Sequence, residues 1–336
     1  MVDATHISFA ANDRSYFSLL KKEIHRQAEE AGIKAEQLNK VDLIVAEMTS
    51  NLFKYGDDGE ILMGIFTNGD SPYIELISID NGPGMSHPTR MMQDGVSTSN
   101  TLGHGLGSIK RLSDTFDLYS QAGWGTIVLA RVFNDPAEAR KPQSIIVRPI
   151  IVAKPGETKS GDGMAFKQTP KYMKLMSADG LGHGVEANRA VNEAAAAFKM
   201  FPDYSPTETL RFIHTAIKKT RGAVITVIGY NFETKTWSSS GIGNIAARLI
   251  GPNTMRQQMS YNGIVGHNIP NSMNDQQYPS DLYNQVILCS DGIKARWDLS
   301  KYPMILKYDQ TVLSAAIYKD HARKTDDMSV IVAKVL

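Results

Sequence analysis

The amino-acid sequence predicts an α+β protein with two domains. Its 336 residues exceed what one ordinary hydrophobic core organises and suit two domains with a core each. In the first half, two amphipathic helix patterns precede strand patterns, whereas in the second half strand patterns surround one helix-rich stretch. The segment NDPAEARKPQ, which contains two prolines and mixed charge, separates the halves. We therefore expect domains over residues 1–134 and 144–336, joined by a linker at 135–143.

Two helices are predicted near the start of the chain. The first runs from Asn12, with Asn12 or Asp13 as its N-cap, to Gly32. The second runs from Ala35 to Tyr55, and a glycine ends it. Apolar stripes at helical spacing define both: Phe17, Leu20, Ile24 and Ala28 in the first, and Leu38, Val41, Val45, Met48 and Leu52 in the second.

Strand patterns follow these helices. The runs EILMGIFTN and YIELISID predict a hairpin that brings the chain to Asp80, and FDLYSQ with GTIVLARV predicts another. In the second half, strands such as SIIVRPIIVA, MKLMSAD, AVITVIGYNF, QVILCSDG and MSVIVAKVL surround a helix-rich stretch from Glu186 to Lys219. This order predicts a β-sandwich flanked by helices.

Composition argues against several classes of function. The 36 Lys and Arg residues almost cancel the 35 Asp and Glu residues, so we expect no nucleic-acid partner. No stretch reaches the roughly 20 apolar residues that span a bilayer, and the start lacks a signal-peptide pattern, so we expect a cytoplasmic protein without membrane association. Cys289 is the single cysteine, so any metal must be bound by oxygen ligands or histidine.

Four features of the first half together indicate nucleotide chemistry. Glu47 and Asn51 lie four residues apart on one helix face, an arrangement that alone also fits a solvated surface. Asp80 ends a strand before NGPGM, where Gly82 and Gly84 permit a tight turn. The remaining two features are the loop DGVSTSNTLGHGLGS, whose glycines precede a helix as in a phosphate-binding turn, and the later GWGT.

This ordered set resembles the GHKL ATPase/kinase superfamily, and LGHGLGSIKRLSD resembles its bacterial anti-sigma switch kinases of the RsbT and RsbW type. The resemblance implies a GHKL (Bergerat) α/β sandwich that binds ATP with one Mg²⁺ or Mn²⁺. It implies Asp80 at the adenine, Asn51 at the metal, and Glu47 as the catalytic group that activates a protein hydroxyl. The other implied nucleotide-binding residues are Gly82, Gly84, Gly103, Gly105, Leu106, Gly107 and Thr126.

Acidic motifs recur in the second half, each of which alone fits an ordinary turn. They are SGDG with Asp162, SADGLGHG with Asp179, LCSDG with Asp291, and TDDMS with Asp326 and Asp327. Carboxylates that converge from strand ends suit Mg²⁺ or Mn²⁺. Two such ions about 4 Å apart can activate water and bind a phosphoryl group.

The order of these motifs resembles the type 2C metal-dependent phosphatases, specifically the SpoIIE/RsbX branch. The resemblance implies an α-β-β-α sandwich with two metal ions. Asp179 would be catalytic and bridge both ions with the Gly180 carbonyl, while Asp162, Asp291 and Asp326 complete the metal site. The resemblance favours Asp326 over Asp327, because the family's ligand stands one residue ahead of the residue that precedes the Met-Ser pair.

Other phosphatase and cofactor chemistries fit less well. A thiol phosphatase needs CxxxxxR, but Arg296 lies one residue too far from Cys289. GIGNIA at 241–246 lacks the βαβ context of a dinucleotide site and is interpreted as a strand connection. Phosphate anchoring has no assigned arginine, and Lys154 and Lys167 are the candidate substitutes.

Together, the two resemblances predict a bifunctional regulator. The N-terminal domain would phosphorylate a serine or threonine on a partner, and the C-terminal domain would remove phosphate from that partner or a related one. The resemblance implies partners of the STAS, anti-sigma-antagonist or stressosome-like type. Two alternatives remain: the ATP-binding domain is a sensor or docking module for the phosphatase, or the chain sequesters a sigma factor or similar partner without catalysis.

Overall fold

The chain folds into two compact units in the computed structural model, which describes residues 5–11, 13–68, 71–88, 105–141 and 143–336. The N-terminal unit contains His6–Pro142 and Leu299–Ala316. The C-terminal unit contains Gln143–Asp298 and Ile317–Leu336. The chain thus leaves the C-terminal unit after Asp298, contributes residues 299–316 to the N-terminal unit, and then returns.

The N-terminal unit packs helices against a five-stranded antiparallel sheet with the order β1-β2-β3-β5-β4. Alternate strand residues such as Ile61 and Met63, or Ile74 and Leu76, face the helices, as the period of a strand requires. Its elements are β1 (Ile7–Ala10), α1 (Phe17–Glu30), α2 (Ala35–Tyr55), β2 (Glu60–Asn68), β3 (Ser71–Asp80), α3 (Gly105–Leu112), β4 (Thr115–Gln121) and β5 (Gly125–Phe133).

The predicted apolar stripes are the buried faces of α1 and α2. Leu20, Ile24 and Ala28 of α1 are buried, and Phe17 packs against the same core. All five predicted stripe residues of α2 are buried. The first helix begins later than predicted because Asp13 caps a short 3-10 turn, in which its side chain accepts a hydrogen bond from Ser15 N at 2.8 Å. The other predicted cap, Asn12, lies outside the described residues.

The C-terminal unit contains two five-stranded sheets, with the orders β13-β10-β9-β8-β7 and β12-β11-β14-β15-β6. Its strands are β6 (Ile145–Val152), β7 (Asp162–Gln168), β8 (Tyr172–Gly180), β9 (Ala223–Asn231), β10 (Thr236–Ile242), β11 (Ala246–Ile250), β12 (Met255–Gln257), β13 (Gln276–Pro279), β14 (Gln285–Cys289) and β15 (Met328–Val335). Its helices are α4 (Val185–Met200), α5 (Pro206–Ala216) and α6 (Gln310–His321), the last of which begins in the N-terminal unit and ends in the C-terminal unit.

Helices α4 and α5 cover the first of these sheets and form the helix-rich stretch that the sequence predicts. The buried face of α4 contains several alanines, which allow the helix to lie close to the sheet. A side chain on Gly163 of β7 would meet Val191 at 2.5 Å, so this glycine is part of the close packing. The packing fixes the β7 and β8 ends at which the acidic motifs lie.

The α+β fold class with two domains is confirmed. The division at 1–134, 135–143 and 144–336 stays a prediction, but the compact units differ from it in residues 299–316, which lie in the N-terminal unit. The physical reason is a buried ion pair, because the carboxylate of Asp309 contacts the guanidinium of Arg131 at 2.7 Å. In the described part of the chain, no helix is both long and apolar enough to cross a membrane.

Candidate active sites

The first candidate site lies where α2 faces the start of α3. Glu47 and Asn51 are half-buried on α2, and a Cβ atom on Gly105 would lie 3.0 Å from Glu47 Oε2 and 3.2 Å from Asn51 Oδ1. The structure therefore brings these three predicted residues together. Asn51 Nδ2 is buried and has no hydrogen-bond partner among the described residues. A buried amide of this kind fits a site whose ligand supplies the partner.

The first turn of α3 lies beside this pair. Gly105 and Gly107 lie in that turn, whose unsatisfied N–H groups and positive helix end suit a phosphate. Leu106 packs its side chain against the apolar core, so its contribution to a ligand would come from its backbone. The fourth predicted residue of this loop, Gly103, lies outside the described residues.

Asp80 ends β3 in a tight turn built around glycines. Its Oδ1 accepts a hydrogen bond from Gly82 N at 2.8 Å. A side chain on Gly82 would meet the Tyr55 carbonyl oxygen at 2.4 Å. Gly84 has φ +65°, and a side chain there would meet the Gln121 carbonyl oxygen at 1.8 Å. Both glycines are therefore required by the packing of this turn.

Thr126 faces the same turn from β5. It is the register partner of Asp80, and its Oγ1 lies 2.9 Å from Ser120 Oγ. A side chain on Gly125 would meet the Asp80 carbonyl oxygen at 2.0 Å. The end of α2, the DNGPG turn and the GWGT turn thus converge on Asp80. Its carboxylate can accept a hydrogen bond from the amino group of a nucleotide base.

The second candidate site lies at the ends of β7 and β8. Asp162 and Asp179 are direct register partners on these antiparallel strands. Side chains in such positions have Cβ atoms about 4.5–5.5 Å apart. Ser290 Oγ donates to Asp162 Oδ2 at 2.6 Å, whereas the buried Asp162 Oδ1 has no partner among the described residues.

Burial and mutual repulsion change the proton affinity of this pair. Desolvation, followed by the charges of Asp162, Asp291, Asp326 and Asp327, raises the pKa of Asp179 to about 9. Desolvation and the nearby carboxylates also raise the pKa of Asp162 to about 7, against a hydrogen bond from Ser290 that lowers it. The predicted acidic residues therefore share one electrostatic environment.

Asp291 is held by a residue that the sequence did not single out. Its Oδ2 accepts a hydrogen bond from Asn244 Nδ2 at 3.0 Å. Asn244 lies between the end of β10 at Ile242 and the start of β11 at Ala246, so GIGNIA is a strand connection, as interpreted. A polar residue in a short turn gives no signal by itself, because only the fold brings it to Asp291.

The two adjacent aspartates of TDDMS differ in their contacts. Asp327 is buried, and its two carboxylate oxygens accept hydrogen bonds from Lys154 N at 2.9 Å and Gly161 N at 2.8 Å. Asp326 is half-buried, and its Oδ1 accepts from the backbone N of Asp327 at 2.9 Å. Asp327 therefore holds backbone in place, which favours Asp326 as the residue available to a ligand.

The donor set fits a hard divalent cation, although a complete metal site is not assembled. In the ranges that the structure describes, no group of three or more His, Cys, Asp or Glu side chains is arranged to hold a metal ion. The crowded carboxylates and the orphaned Oδ1 of Asp162 are nevertheless the features that a cation would stabilise. Gly180 is fixed in this site because a side chain would meet the Ala187 carbonyl oxygen at 2.5 Å.

The loop after Gly180 approaches one basic side chain that sequence reasoning missed. A Cβ atom on Gly182 would lie 3.1 Å from an Nη atom of the exposed Arg221. Leu181 N donates to Gly222 O at 3.1 Å, so the loop is also bound to the residue after Arg221. An isolated arginine before β9 carries no sequence signal.

The two lysines considered for phosphate anchoring have other contacts. Lys154 contributes its backbone N–H to Asp327. Lys167 Nζ donates to Lys199 O at 3.3 Å. Lys167 lies five residues along β7 from Asp162, which is roughly 16 Å at the usual rise of a strand. Arg221, beside the loop that follows Gly180, is a further candidate for this role.

The remaining thiol and histidines have structural surroundings. Cys289 is buried, and desolvation raises the pKa of its thiol to about 12, so it is a poor nucleophile at neutral pH. His214 Nδ1 accepts from Gly266 N at 3.0 Å, and His267 Nε2 contacts the Arg221 carbonyl oxygen at 2.8 Å. His183 is exposed beside the acidic site, where its Nδ1 lies 2.7 Å from Glu157 Oε1.

The N-terminal part resembles known ATP-binding proteins. Residues 9–132 match the family model of the histidine kinase-like ATPase domain. Over 103 residues the chain is 34% identical to the serine/threonine-protein kinase RsbT of Bacillus subtilis (strain 168), a match that covers 31% of this chain and 77% of RsbT.

The chain also resembles known phosphatases. The phosphoserine phosphatase RsbX of Bacillus subtilis (strain 168) is 31% identical over 103 residues, which cover 30% of this chain and half of RsbX. The structure of RsbX in complex with magnesium has the same fold over 58% of this chain and 98% of its own, with a TM-score of 0.51 and 20% identity.

A solved structure from the bacterial stressosome, described as a modular system adapted to control secondary messenger signalling, is also similar. It covers 57% of this chain and 100% of its own, with a TM-score of 0.52 and 25% identity.

Proposed function

Because the chain belongs to the RsbT-like switch-kinase family in its N-terminal part and carries an RsbX/SpoIIE-like type 2C phosphatase domain, we propose that it is a bifunctional partner-switching regulator. Its phosphatase domain removes phosphate from a serine or threonine of a partner protein. Its ATP-binding domain phosphorylates such a partner. The observation that carries the phosphatase assignment is the register pair Asp162 and Asp179 among further carboxylates.

The phosphatase reaction requires divalent metal in this proposal. Asp179 and the Gly180 carbonyl, together with Asp162, Asp291 and Asp326, would hold the ions. When bound, Mg²⁺ or Mn²⁺ supplies an activated water and Lewis-acid stabilisation of the phosphoryl oxygens. Burial and then the repulsion of neighbouring carboxylates raise the pKa of Asp179, which supports this assignment because a cation would stabilise the charged carboxylates.

Other side chains orient these ligands and the substrate. Ser290 donates to Asp162, and Asn244 donates to Asp291, so each ligand carboxylate is fixed on its outer side. Arg221 supplies the guanidinium that binds the substrate phosphate, since it lies against the loop that follows Gly180. The phosphate is thereby held at the mouth of the acidic site.

The kinase reaction uses positioning and charge. Asp80 binds the adenine, with Gly82, Gly84 and Thr126 forming the turn around it. Asn51 would hold the metal that accompanies ATP, and the first turn of α3 would donate its backbone N–H groups to the phosphates. Glu47 accepts the proton of the partner hydroxyl. The contact of Gly105 with both Glu47 and Asn51 supports this arrangement, because it places the phosphate turn beside the two catalytic side chains.

The similar proteins support one class of partner. RsbT is a serine/threonine-protein kinase, RsbX is a phosphoserine phosphatase, and the similar structure comes from the bacterial stressosome. A chain that combines both activities suits a partner that alternates between a phosphorylated and an unphosphorylated state. We therefore assign a STAS-type protein as the partner.

The experiment is dephosphorylation of a phosphoserine STAS-type protein by the purified full chain with Mn²⁺, Mg²⁺ or EDTA. We expect turnover only with metal, and its loss in Asp291→Asn. The matched control is Asp281→Asn, an exposed aspartate whose Oδ1 accepts a hydrogen bond from the next backbone N–H. Turnover in EDTA, or full activity of Asp291→Asn, would contradict the metal-dependent mechanism.

A further inference from the structure

Residues 299–316 pack on the surface of β4 and β5 in the N-terminal unit. This segment, named here the 299–316 segment, follows the part of the C-terminal unit that contains Asp291. It contains two short 3-10 turns and the start of α6. Two groups of contacts hold it, one aromatic and one ionic.

The aromatic group lies at the turn between β4 and β5. Tyr119 meets Tyr308 edge-on at a ring-centroid distance of 5.0 Å, and Trp124 meets Tyr302 at 5.8 Å. Gln121 Nε2 donates to Tyr119 Oη at 2.7 Å and to the Lys301 carbonyl oxygen at 3.3 Å. Aromatic pairs prefer particular ring geometries and add stabilisation to that of the apolar area they bury, so these contacts fix the position of the segment.

The ionic group is centred on Arg131, which is 2% exposed. Its Nη1 and Nη2 atoms donate to the two carboxylate oxygens of Asp309 at 2.7 and 2.9 Å, and its Nε donates to Glu75 Oε2 at 2.6 Å. Asp309 N in turn donates to Asp117 Oδ2 at 2.7 Å. A buried, bidentate ion pair of this kind fixes the relative orientation of the two side chains, so the segment has a defined position on the sheet.

The same β4–β5 turn forms one wall of the proposed adenine turn. Gly123 N donates to the Pro83 carbonyl oxygen at 2.7 Å. Gly84 lies in close contact with Gln121 O, and Gly125 with Asp80 O. Gln121, which contacts the 299–316 segment, is therefore also in contact with the turn that follows Asp80.

The other end of α6 contacts the loop that carries Asp291. In the C-terminal unit, Lys294 N donates to the His321 carbonyl oxygen at 2.8 Å, and Arg323 N donates to the Gly292 carbonyl oxygen at 2.8 Å. Ile293 also forms a bridge with Ala322. Helix α6 is continuous from Gln310 to His321, so it joins the 299–316 segment to the residues that contact the Asp291 loop.

We propose that the 299–316 segment and α6 transmit adenine-nucleotide occupancy of the N-terminal unit to Asp291, and so regulate the phosphatase. The inference rests on the proposed function for its enzymatic readout. It goes further by naming the ligand that regulates the acidic site and the residues that carry the signal. For this route to operate, the nucleotide must bind with different affinities to two conformations of the 299–316 segment.

The first test measures kcat and KM of the full chain on a phosphoserine protein with and without Mg²⁺-AMP-PNP, at constant free Mn²⁺. We expect the nucleotide to change kcat by about fivefold or more, the lower range of typical coupling. Tyr302→Ala and the milder Tyr308→Ala, both in the 299–316 segment, should keep basal activity and nucleotide affinity but lose the response. Tyr302→Phe, which keeps the ring, should retain it. Nucleotide binding by calorimetry without any change in kcat or KM of the wild type would overturn the proposal and leave the phosphatase assignment intact.

The second test needs no enzymatic activity. Hydrogen exchange of the amides of Lys294 and Arg323 reports the contact between the end of α6 and the Asp291 loop. We expect Mg²⁺-AMP-PNP to change their exchange rates in the wild type and in Tyr302→Phe, but not in Tyr302→Ala. Unchanged rates in nucleotide-bound wild type would overturn the proposal even if the chain were inactive as a phosphatase.

Discussion

Asp162 and Asp179 are direct cross-strand partners at the end of one sheet, where burial and then the charge of Asp162 raise the pKa of Asp179. Like charges opposite each other destabilise a strand pair. The arrangement is therefore a stability cost that a bound cation offsets. Stability and activity should respond to metal through the same two residues.

The metal-free protein should lose stability as the pH rises. Asp162 and Asp179 have folded-state pKa values of about 7 and about 9, above the ordinary value of 3.8. Between about pH 4 and pH 9 the folded state therefore binds more protons than the unfolded state, so the free energy of unfolding falls across this window. Thermal unfolding in EDTA checks this, and Mn²⁺ should flatten the dependence. An equal slope in Asp179→Asn and in the wild type would contradict the assigned cause.

The adjacent aspartates Asp326 and Asp327 should separate activity from stability. Asp327→Asn places an amide donor against backbone N–H groups, which we expect to cost about 1–3 kcal/mol of unfolding free energy. Asp326→Asn should leave stability near the wild-type value but reduce phosphatase activity by about 100-fold or more. Urea unfolding measures the stability of the two variants, and turnover of a phosphoserine protein measures their activity. The reverse pattern would show that the ligand is Asp327.

Glycines of the nucleotide turns provide a matched pair. Gly84 and Gly123 both have positive φ, at +65° and +76°, but only Gly84 has a backbone atom against its Cβ position. Gly123→Ala should cost about 1–2 kcal/mol from backbone strain alone. Gly84→Ala should cost more, because it adds a collision with the Gln121 carbonyl, and should weaken ATP binding measured by calorimetry. Equal effects of the two substitutions would argue against a packed adenine turn.

Glu47→Gln separates the kinase from a purely sensory ATP site. The side chain keeps its size but cannot accept a proton, so partner phosphorylation should fall by about 100-fold or more. ATP affinity should remain near that of the wild type. Transfer of labelled phosphate to a STAS-type partner measures the first quantity, and calorimetry measures the second. Unchanged phosphorylation would remove Glu47 from the assigned role.

The sequence predicts local features better than remote contacts. The buried stripe of α2 and the glycine turn at Asp80 follow from spacing and backbone chemistry, and both are present in the structure. The acidic motifs at strand ends predict that Asp162 and Asp179 lie near each other, but their direct cross-strand pairing is visible only in the structure.

Other relationships had no local signal. Arg131 and Asp309 are 178 positions apart, and neither lies in a motif. Asn244 and Arg221 are single polar residues beside turns, which become informative only once the strands bring them to the acidic site. Long-range packing of this kind is decided by the tertiary structure as a whole and not by periodicity in any one segment.

The most direct test of the central claim is the rate of phosphoserine hydrolysis by Asp179→Asn with saturating Mn²⁺, beside the wild type and Asp281→Asn. Calorimetric ATP binding and the unfolding midpoint of each protein verify that the chain is folded. We predict that Asp179→Asn binds ATP normally but has lost hydrolysis, while Asp281→Asn behaves as the wild type. Metal-dependent hydrolysis by Asp179→Asn at the wild-type rate would contradict the acidic site as the phosphatase centre.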